Sequence, residues 1–209
     1  NLRCMRGQSI ALIGPNGCGK TTLIKSMLHM VLPSKGSIHF NGKDIKGDYQ
    51  YRSAIGYMPQ IGRYPENMNV GQVLDTIKGL RQSAGALDED LYQAYKIQSI
   101  LDKRMATLSG GTRQKVSATL AFMFNPDVLI LDEPTAGLDP LASEILKEKI
   151  LAEKVKNKLI LITSHLLSEL DEIVSEVVFM QEGIVRFHKD TTLLKAETGK
   201  ETIAKAIST

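Results

Sequence analysis

The sequence has no tryptophan, only two cysteines and no long uninterrupted apolar run, and each shortage excludes something. Cys4 and Cys18 fall outside any C-x-x-C spacing, so neither a disulfide framework nor a structural zinc site is expected, and a reducing compartment suits the chain. No stretch approaches the roughly 18–20 apolar residues of a membrane span. Neither sign of charge dominates. The 26 Lys and Arg are interspersed with 23 Asp and Glu, which leaves no electrostatic footprint for nucleic acid, and no direct nucleic-acid partner is expected. Aromatics make up 5% of the residues, and none precedes Phe40. What remains is ordinary globular composition, 209 residues with 43% apolar, enough for one domain with a sizeable core.

Apolar patterning places the elements. Ser9–Ile13, Val128–Leu131 and Leu159–Thr163 are short runs without charge, as in strands buried on both faces of a parallel sheet. Ile55–Met58 is a further short strand closed by Pro59. The alternation over 36–42 suggests an antiparallel strand ending at Asn41-Gly42. Helices are expected over Thr22–Met30 and Leu141–Lys156. From Asn69 to Ala121 the pattern is helical, with Val70, Val73, Leu74 and Ile77 at i, i+3, i+4 and i+7 and the same character over Leu91–Leu101. A hairpin is expected around Gln181-Glu182-Gly183, and one exposed helix from Leu193 onward. Strands and helices thus alternate at both ends around a helical insertion, which indicates an α/β core with a helical subdomain over about 62–125 and a small antiparallel β part.

Three motifs carry the chemistry. Gly14-Pro15-Asn16-Gly17-Cys18-Gly19-Lys20-Thr21-Thr22 fits G-x-x-x-x-G-K-[ST], with strand before and helix after. Glycines let backbone N–H groups turn toward phosphate oxygens, and the helix N-terminus adds partial positive charge. Lys20 can reach the β- and γ-phosphates, and the Thr21 hydroxyl can ligate Mg²⁺. Asp132 and Glu133 end the apolar strand Val128–Leu131, at the sheet edge where open α/β folds bind ligands. Asp132 suits Mg²⁺, and Glu133 suits the polarising of a water against the γ-phosphate. Ser109-Gly110-Gly111 opens a helix and forms a second anion-binding N-terminus, more than one nucleotide needs from one chain.

With Leu108-Ser109-Gly110-Gly111-Thr112-Arg113-Gln114 as its signature, the chain resembles the ATP-binding-cassette (ABC) family, and the resemblance runs through nearly its whole length. Gln60 after Met58-Pro59 is similar to the family's Q-loop glutamine, and Asp132 and Glu133 to its Walker B acids. Ala136-Gly137-Leu138-Asp139 is similar to the D-loop, and His165 after Thr163-Ser164 to the switch histidine. The resemblance implies a P-loop ABC-type ATPase fold, a single domain over 1–209, and a head-to-tail dimer holding two ATP molecules. Glu133 and His165 would be catalytic. Gly14, Asn16, Gly17, Cys18, Gly19, Lys20, Thr21, Thr22, Gln60 and Asp139 would serve the nucleotide, with Ser109, Gly110 and Gly111 supplied by the second copy. Thr21, Gln60 and Asp132 would hold Mg²⁺.

It further implies a separate transmembrane permease, contacted through Ile61, Tyr64, Pro65 and Met68, and a place on the cytoplasmic face of the cell membrane. The other class, an ABC ATPase acting on ribosomes or nucleic acid, is disfavoured. Lys20 and Ser109 are only about 90 residues apart with no long heptad run between them, and zinc cysteines and a second cassette are absent. Tyr57–Val70 and Met180–Thr198 are similar to ATPases of nitrous-oxide reductase maturation, a copper or sulfur-species system. Two departures stand out. Thr112 takes the place of a common glutamine, and the family's adenine-stacking aromatic, expected upstream of the phosphate loop, is not here, so a truncated N-terminal strand region is expected.

Other residues take plainer readings. Met27, His29 and Met30 are expected in core packing on the helix after the loop rather than around a soft metal. Cys18 is a small residue at a variable loop position, expected to be shielded by nucleotide from alkylation. Lys147, Lys149, Lys154, Lys156 and Lys158, interleaved with Glu144, Glu148 and Glu153, are expected to form a solvated face.

Overall fold

A computed structural model describes residues 1–81, 85–165 and 170–207. Its main sheet has six strands in the order β4-β5-β6-β1-β7-β8. These are β1 Ser9–Ile13, β4 Ile55–Met58, β5 Val128–Asp132, β6 Leu159–Thr163, β7 Glu176–Gln181 and β8 Ile184–Asp190. All neighbours are parallel except β7 and β8. The apolar runs are legible as strands because both faces are covered. Ala11 and Ile13 point into one core with Leu129, Leu131, Ile160 and Ile162. Ile10 and Leu12 point into the other with Ile130, Leu161 and Val178.

Helix α1 (Lys20–Met27) packs in the second core, beside a two-stranded hairpin of β2 (His39–Phe40) and β3 (Lys43–Asp44). The strand expected over 36–42 shrinks to two paired residues on each side of Asn41-Gly42. Both turn residues have positive φ (49° and 80°), the geometry of a tight hairpin turn that matches strand twist. The expected helix after the phosphate loop is shifted. It begins at Lys20 because Gly19 caps it at φ 104°, and ends at Met27 as His29 turns left-handed at φ 54°. Met30 therefore lies outside the helix, 62% exposed, while Met27 and Leu28 pack on the core.

The helical part comprises α2 (Val70–Arg81), α3 (Asp90–Ala94) and α4 (Gly110–Phe122). The expected helical continuation over Leu91–Leu101 breaks at Lys96, which adopts φ 52° and leads into a 3₁₀ turn at Ile97–Ile100. Helix α4 is buried on two sides. Val116, Leu120 and Met123 join Val70, Val73, Leu74, Ile97 and Met105 in a core of their own. Ala118, Ala121 and Phe122 face the sheet. On that second face β4 comes so close that a Cβ on Gly56 would lie 2.1 Å from the Ala121 carbonyl oxygen.

Helix α5 (Pro140–Val155) corrects the reading of the lysine-rich face. Lys149 is 5% exposed, Lys158 7% and Glu153 1%. Lys149 pairs with Asp88 (2.5 Å), Asp90 (2.6 Å) and Glu153 (2.9 Å). Glu153 also receives Lys156 and Lys158, and Lys158 donates to Asn125 Oδ1 at 2.6 Å. Buried charge is tolerable only when paired in this way. Burial alone would raise the Glu153 pKa, but hydrogen bonds from Lys156, Lys158 and Lys149 outweigh it and hold the carboxyl at about 2. The network joins the helical part to α5 and β6.

The tail is also not one exposed helix. Gly199 at φ 64° divides it into α6 (Thr191–Thr198) and α7 (Ile203–Ile207), and Leu194, Ile203 and Ala206 are buried in the first core.

Candidate functional site: a phosphate cradle at the sheet edge

Strands β4, β5, β6 and β1 are adjacent and parallel, so their C-terminal ends stand in a row. Each end delivers a candidate site residue. Gln60 follows β4, Asp132 ends β5 and Glu133 follows it, His165 follows β6, and the phosphate loop follows β1. Asn16, Gly17, Gly19, Lys20, Thr21, Thr22, Gln60, Asp132, Glu133 and His165 line one cavity of about 390 Å³. Such an edge, where connections diverge, is the ligand-binding place of open α/β sheets.

Two of the loop residues lie beneath it rather than in the cavity lining. Gly14 passes so close to β7 that a Cβ would sit 2.0 Å from the Met180 carbonyl oxygen and 2.8 Å from the Cys18 sulfur. Cys18 is itself 3% exposed and part of the apolar core. The thiol is thus shielded by the protein fold, and the expectation that bound nucleotide protects it is replaced by this burial. Lys20 Nζ donates to the carbonyls of Gly14 (2.7 Å) and Pro15 (3.2 Å), which hold the ammonium beside the loop.

The two acids are held differently. Asp132 is 6% exposed, and its Oδ1 accepts the Thr163 hydroxyl at 2.6 Å. Its negative charge, after burial, helps push the Tyr57 pKa up to about 12. Glu133 leaves the strand with a left-handed backbone, φ 51°. Its N–H is anchored by the Thr163 carbonyl (3.1 Å) and hydroxyl (3.0 Å). Its carboxylate accepts the His165 N–H at Oε2 (3.1 Å), and His165 Nε2 lies 3.3 Å from Oε1. A backbone held in a sparsely populated region by two groups of Thr163 marks a position where side-chain direction matters. Thr163, which orients both acids, was missed in the sequence reading. Its register opposite Asp132 is the only signal, and that needs the strand pairing.

Ser109, Gly110, Gly111 and Asp139 are not brought to this cavity. Ser109 caps α4, accepting the Thr112 N–H at 3.2 Å and sharing a hydroxyl–hydroxyl bond of 2.9 Å with the Thr112 side chain. The unusual threonine thus supports the serine locally. Asp139 caps α5 by accepting the Ala142 N–H at 2.9 Å and pairs with Lys115. Of the candidate permease contacts, Tyr64 and Met68 pack on the helical core, whereas Ile61 is 62% exposed and Pro65 is also exposed.

The model of the ABC transporter family matches residues 1–136. The chain belongs to the ABC transporter family. It is an ATP-binding cassette of that family, and its relatives bear this out. Nod factor export ATP-binding protein I of Burkholderia thailandensis is 32% identical over 203 residues, covering 94% of this chain and 67% of that protein. Its counterpart in Ralstonia nicotianae is 31% identical, covering 85% and 57% respectively. The cassette therefore spans about 57–67% of the length of these relatives. Among solved structures, an ATP-binding subunit of an ABC transporter superposes with TM-score 0.89 at 26% identity, covering 99% of this chain and 89% of that one. A dimeric ATP-binding cassette bound to ADP and Pi shares the fold, with TM-score 0.79 at 18% identity over 91% of this chain and 88% of that one. No helix among the described residues is long and apolar enough to cross a membrane.

Proposed function

We propose that this cassette hydrolyses ATP to ADP and phosphate as the motor subunit of a transporter, in a head-to-tail dimer with two nucleotides between the copies. The observation that carries it is the single cavity into which four strand ends bring a phosphate loop, two acids, a glutamine and a histidine. Loop N–H groups and Lys20 hold the phosphates, with Gly14 and Cys18 shaping the loop from below. Glu133 accepts the proton of a water that attacks the γ-phosphorus, and ADP departs on the far side of that phosphorus. His165, already bonded to Glu133, orients its carboxylate.

The donor set suits a hard cation. Thr21, Gln60 and Asp132 each carry a side-chain oxygen and line one cavity, and no group of three His, Cys, Asp or Glu side chains among the described residues could enclose a metal alone. That donor chemistry fits Mg²⁺, which would keep waters and substrate phosphates as further ligands and would supply neutralisation of developing charge. Ser109, Gly110 and Gly111 stand outside the cavity on an open helix N-terminus and serve the partner copy's γ-phosphate. Asp139 sits beside that cradle. A separate transmembrane permease, docking near Ile61 and Pro65, holds the cassette at the cytoplasmic face.

Light scattering and turnover test this together. Glu133→Gln should lose roughly 10²-fold or more in turnover, the scale of a general base, while binding ATP and accumulating as a dimer. Ser109→Arg added to it should leave nucleotide binding and remove the dimer. Near-normal hydrolysis by the first variant rejects Glu133 as base, and a dimer in the second rejects the composite site.

A further inference from the structure

His165 lies on the connection from β6 to β7, and the far end of that connection carries the helix pair α6–α7. Upstream, β6 ends at Thr163, and the His165 N–H donates to Glu133 Oε2 at 3.1 Å. The histidine side chain is 56% exposed, so its backbone aims it more than packing does. Downstream, residues 170–174 form a turn in which the Ile173 and Val174 N–H groups both donate to the Leu170 carbonyl, at 3.0 and 2.9 Å. Among the described residues this turn is the first buried anchor after the histidine, with Leu170 2%, Ile173 4% and Val174 3% exposed. Its apolar side packs in the first core with Leu194 of α6 and Ile203 and Ala206 of α7. The polar fastening of that contact converges on one side chain. Asp171 Oδ1 accepts the Ile203 N–H at the start of α7 (3.1 Å) and lies 2.7 Å from the Lys195 ammonium of α6. A little further on, the Ser175 carbonyl accepts both the N–H (2.9 Å) and the hydroxyl (3.1 Å) of Thr191, where α6 begins.

We propose that Asp171 is a positioning residue for His165: it seats α6 and α7 on the 170–174 turn, and the seated helices fix the downstream anchor of the connection that carries the histidine. The consequence for turnover rests on the function proposed above, in which His165 orients the Glu133 carboxylate. The helix pair is then a control point on hydrolysis, because lifting it off the turn loosens the histidine without touching the phosphate loop. Short helices held by one carboxylate and a few apolar side chains open locally at less cost than the whole fold. The Asp171 and Lys195 side chains are 18% and 28% exposed, so the pair is reachable by solvent yet sheltered enough to be specific. The seat therefore shows in the state of the histidine and in turnover, with nucleotide binding left alone.

Hydrogen exchange, imidazole nuclear magnetic resonance and steady-state ATP hydrolysis of the whole chain test it, for wild type, Asp171→Ala, Asp171→Asn and Lys195→Met. The chain has four histidines, so the ring signals are few, and a His165→Gln spectrum assigns the one that matters. In Asp171→Ala, amides of residues 170–174 and 203–207 should exchange roughly tenfold faster or more. The His165 ring signal should shift or broaden while those of His29 and His39 stay in place. Turnover should show kcat lower by roughly five- to tenfold with KM within about twofold. Asp171→Asn keeps an acceptor for the Ile203 N–H and should recover most of each readout. Lys195→Met removes only the ion pair, should give the same changes in smaller measure, and carries the test if Asp171→Ala does not fold. Unchanged exchange over 203–207 overturns the seat. Faster exchange with an unmoved His165 signal overturns the link to the histidine. If the wild type does not hydrolyse ATP, the function proposed above falls instead, and exchange and the ring signals alone decide the positioning role.

Discussion

The phosphate loop and the signature are both glycine-rich openings of helices, but they are finished differently. Gly19 caps α1 with a left-handed backbone and no side-chain bond, so the N–H groups of the first turn stay open toward the cavity. Ser109 caps α4 with its own hydroxyl, and the Thr112 side chain bonds that hydroxyl in turn. The first cradle has walls, namely acids, glutamine and histidine from neighbouring strands. The second has a helix end on an open surface. One lines a cavity of its own, whereas the other, in the function proposed above, is half of a site that a second copy completes.

The glycines offer the sharpest way to break that comparison. Gly14→Ala forces a Cβ against the Met180 carbonyl oxygen. Nucleotide affinity in the single chain should fall by more than about tenfold, as expected when charge-assisted hydrogen bonds are lost. Gly110→Ala meets nothing within 4 Å and places a better helix former in α4. Its melting temperature and monomer nucleotide affinity should be unchanged or slightly improved, with turnover nonetheless reduced. Full turnover by Gly110→Ala would mean that nothing docks on the signature, and the comparison would collapse.

A second prediction concerns what fastens each cradle. Lys149→Met strands the carboxylate of Asp88 beneath the helical part and leaves Glu153 to Lys156 and Lys158 alone, which should cost about 3–5 kcal/mol. Thermal unfolding should register it as a shift of roughly 6–20 °C, at about 2–4 °C per kcal/mol for a chain of this size. Exchange should quicken first in α3 and α4, with α1 and the phosphate loop less affected. Uniform loosening would show that the network supports the whole fold rather than the signature half.

The smallest effect at neutral pH is the titration of the same network. The Glu153 pKa is depressed to about 2 from an ordinary value of 4.5. Its contribution is therefore fully present above pH 4.5 and is lost as pH falls toward 2. Acid unfolding should steepen in that window for wild type and lose the extra steepness in Glu153→Gln, as denaturant midpoints at several pH values would show.

The residues that were legible in the sequence are those whose type is dictated by local chemistry. The loop glycines, Lys20, the acids at the end of an apolar strand and the two turn dipeptides all announce themselves over a few positions. Buried parallel strands are equally plain, because apolar on both faces means uninterrupted. The break at Lys96 was not legible, since a lysine at φ 52° has no sequence mark. Nor were the buried Lys149, Lys158 and Glu153, whose alternation with other charges looks like a wet surface until Asp88, Asp90 and Asn125 arrive from distant segments. The same holds for Thr163, which orients both acids only because β5 and β6 pair in that register.

The two thiols make the molecule its own gauge of breathing. Cys4 is half-buried, and burial followed by the Glu176 charge pushes its pKa up to about 11, so it seldom exists as thiolate. Cys18 is silent for another reason, being enclosed beneath the loop. A reagent reaches it only when the loop lifts off β7. The rate at which Cys18 is labelled in a Cys4→Ser background thus counts those openings, and it does so without a fluorophore, a ligand or any change to the cradle.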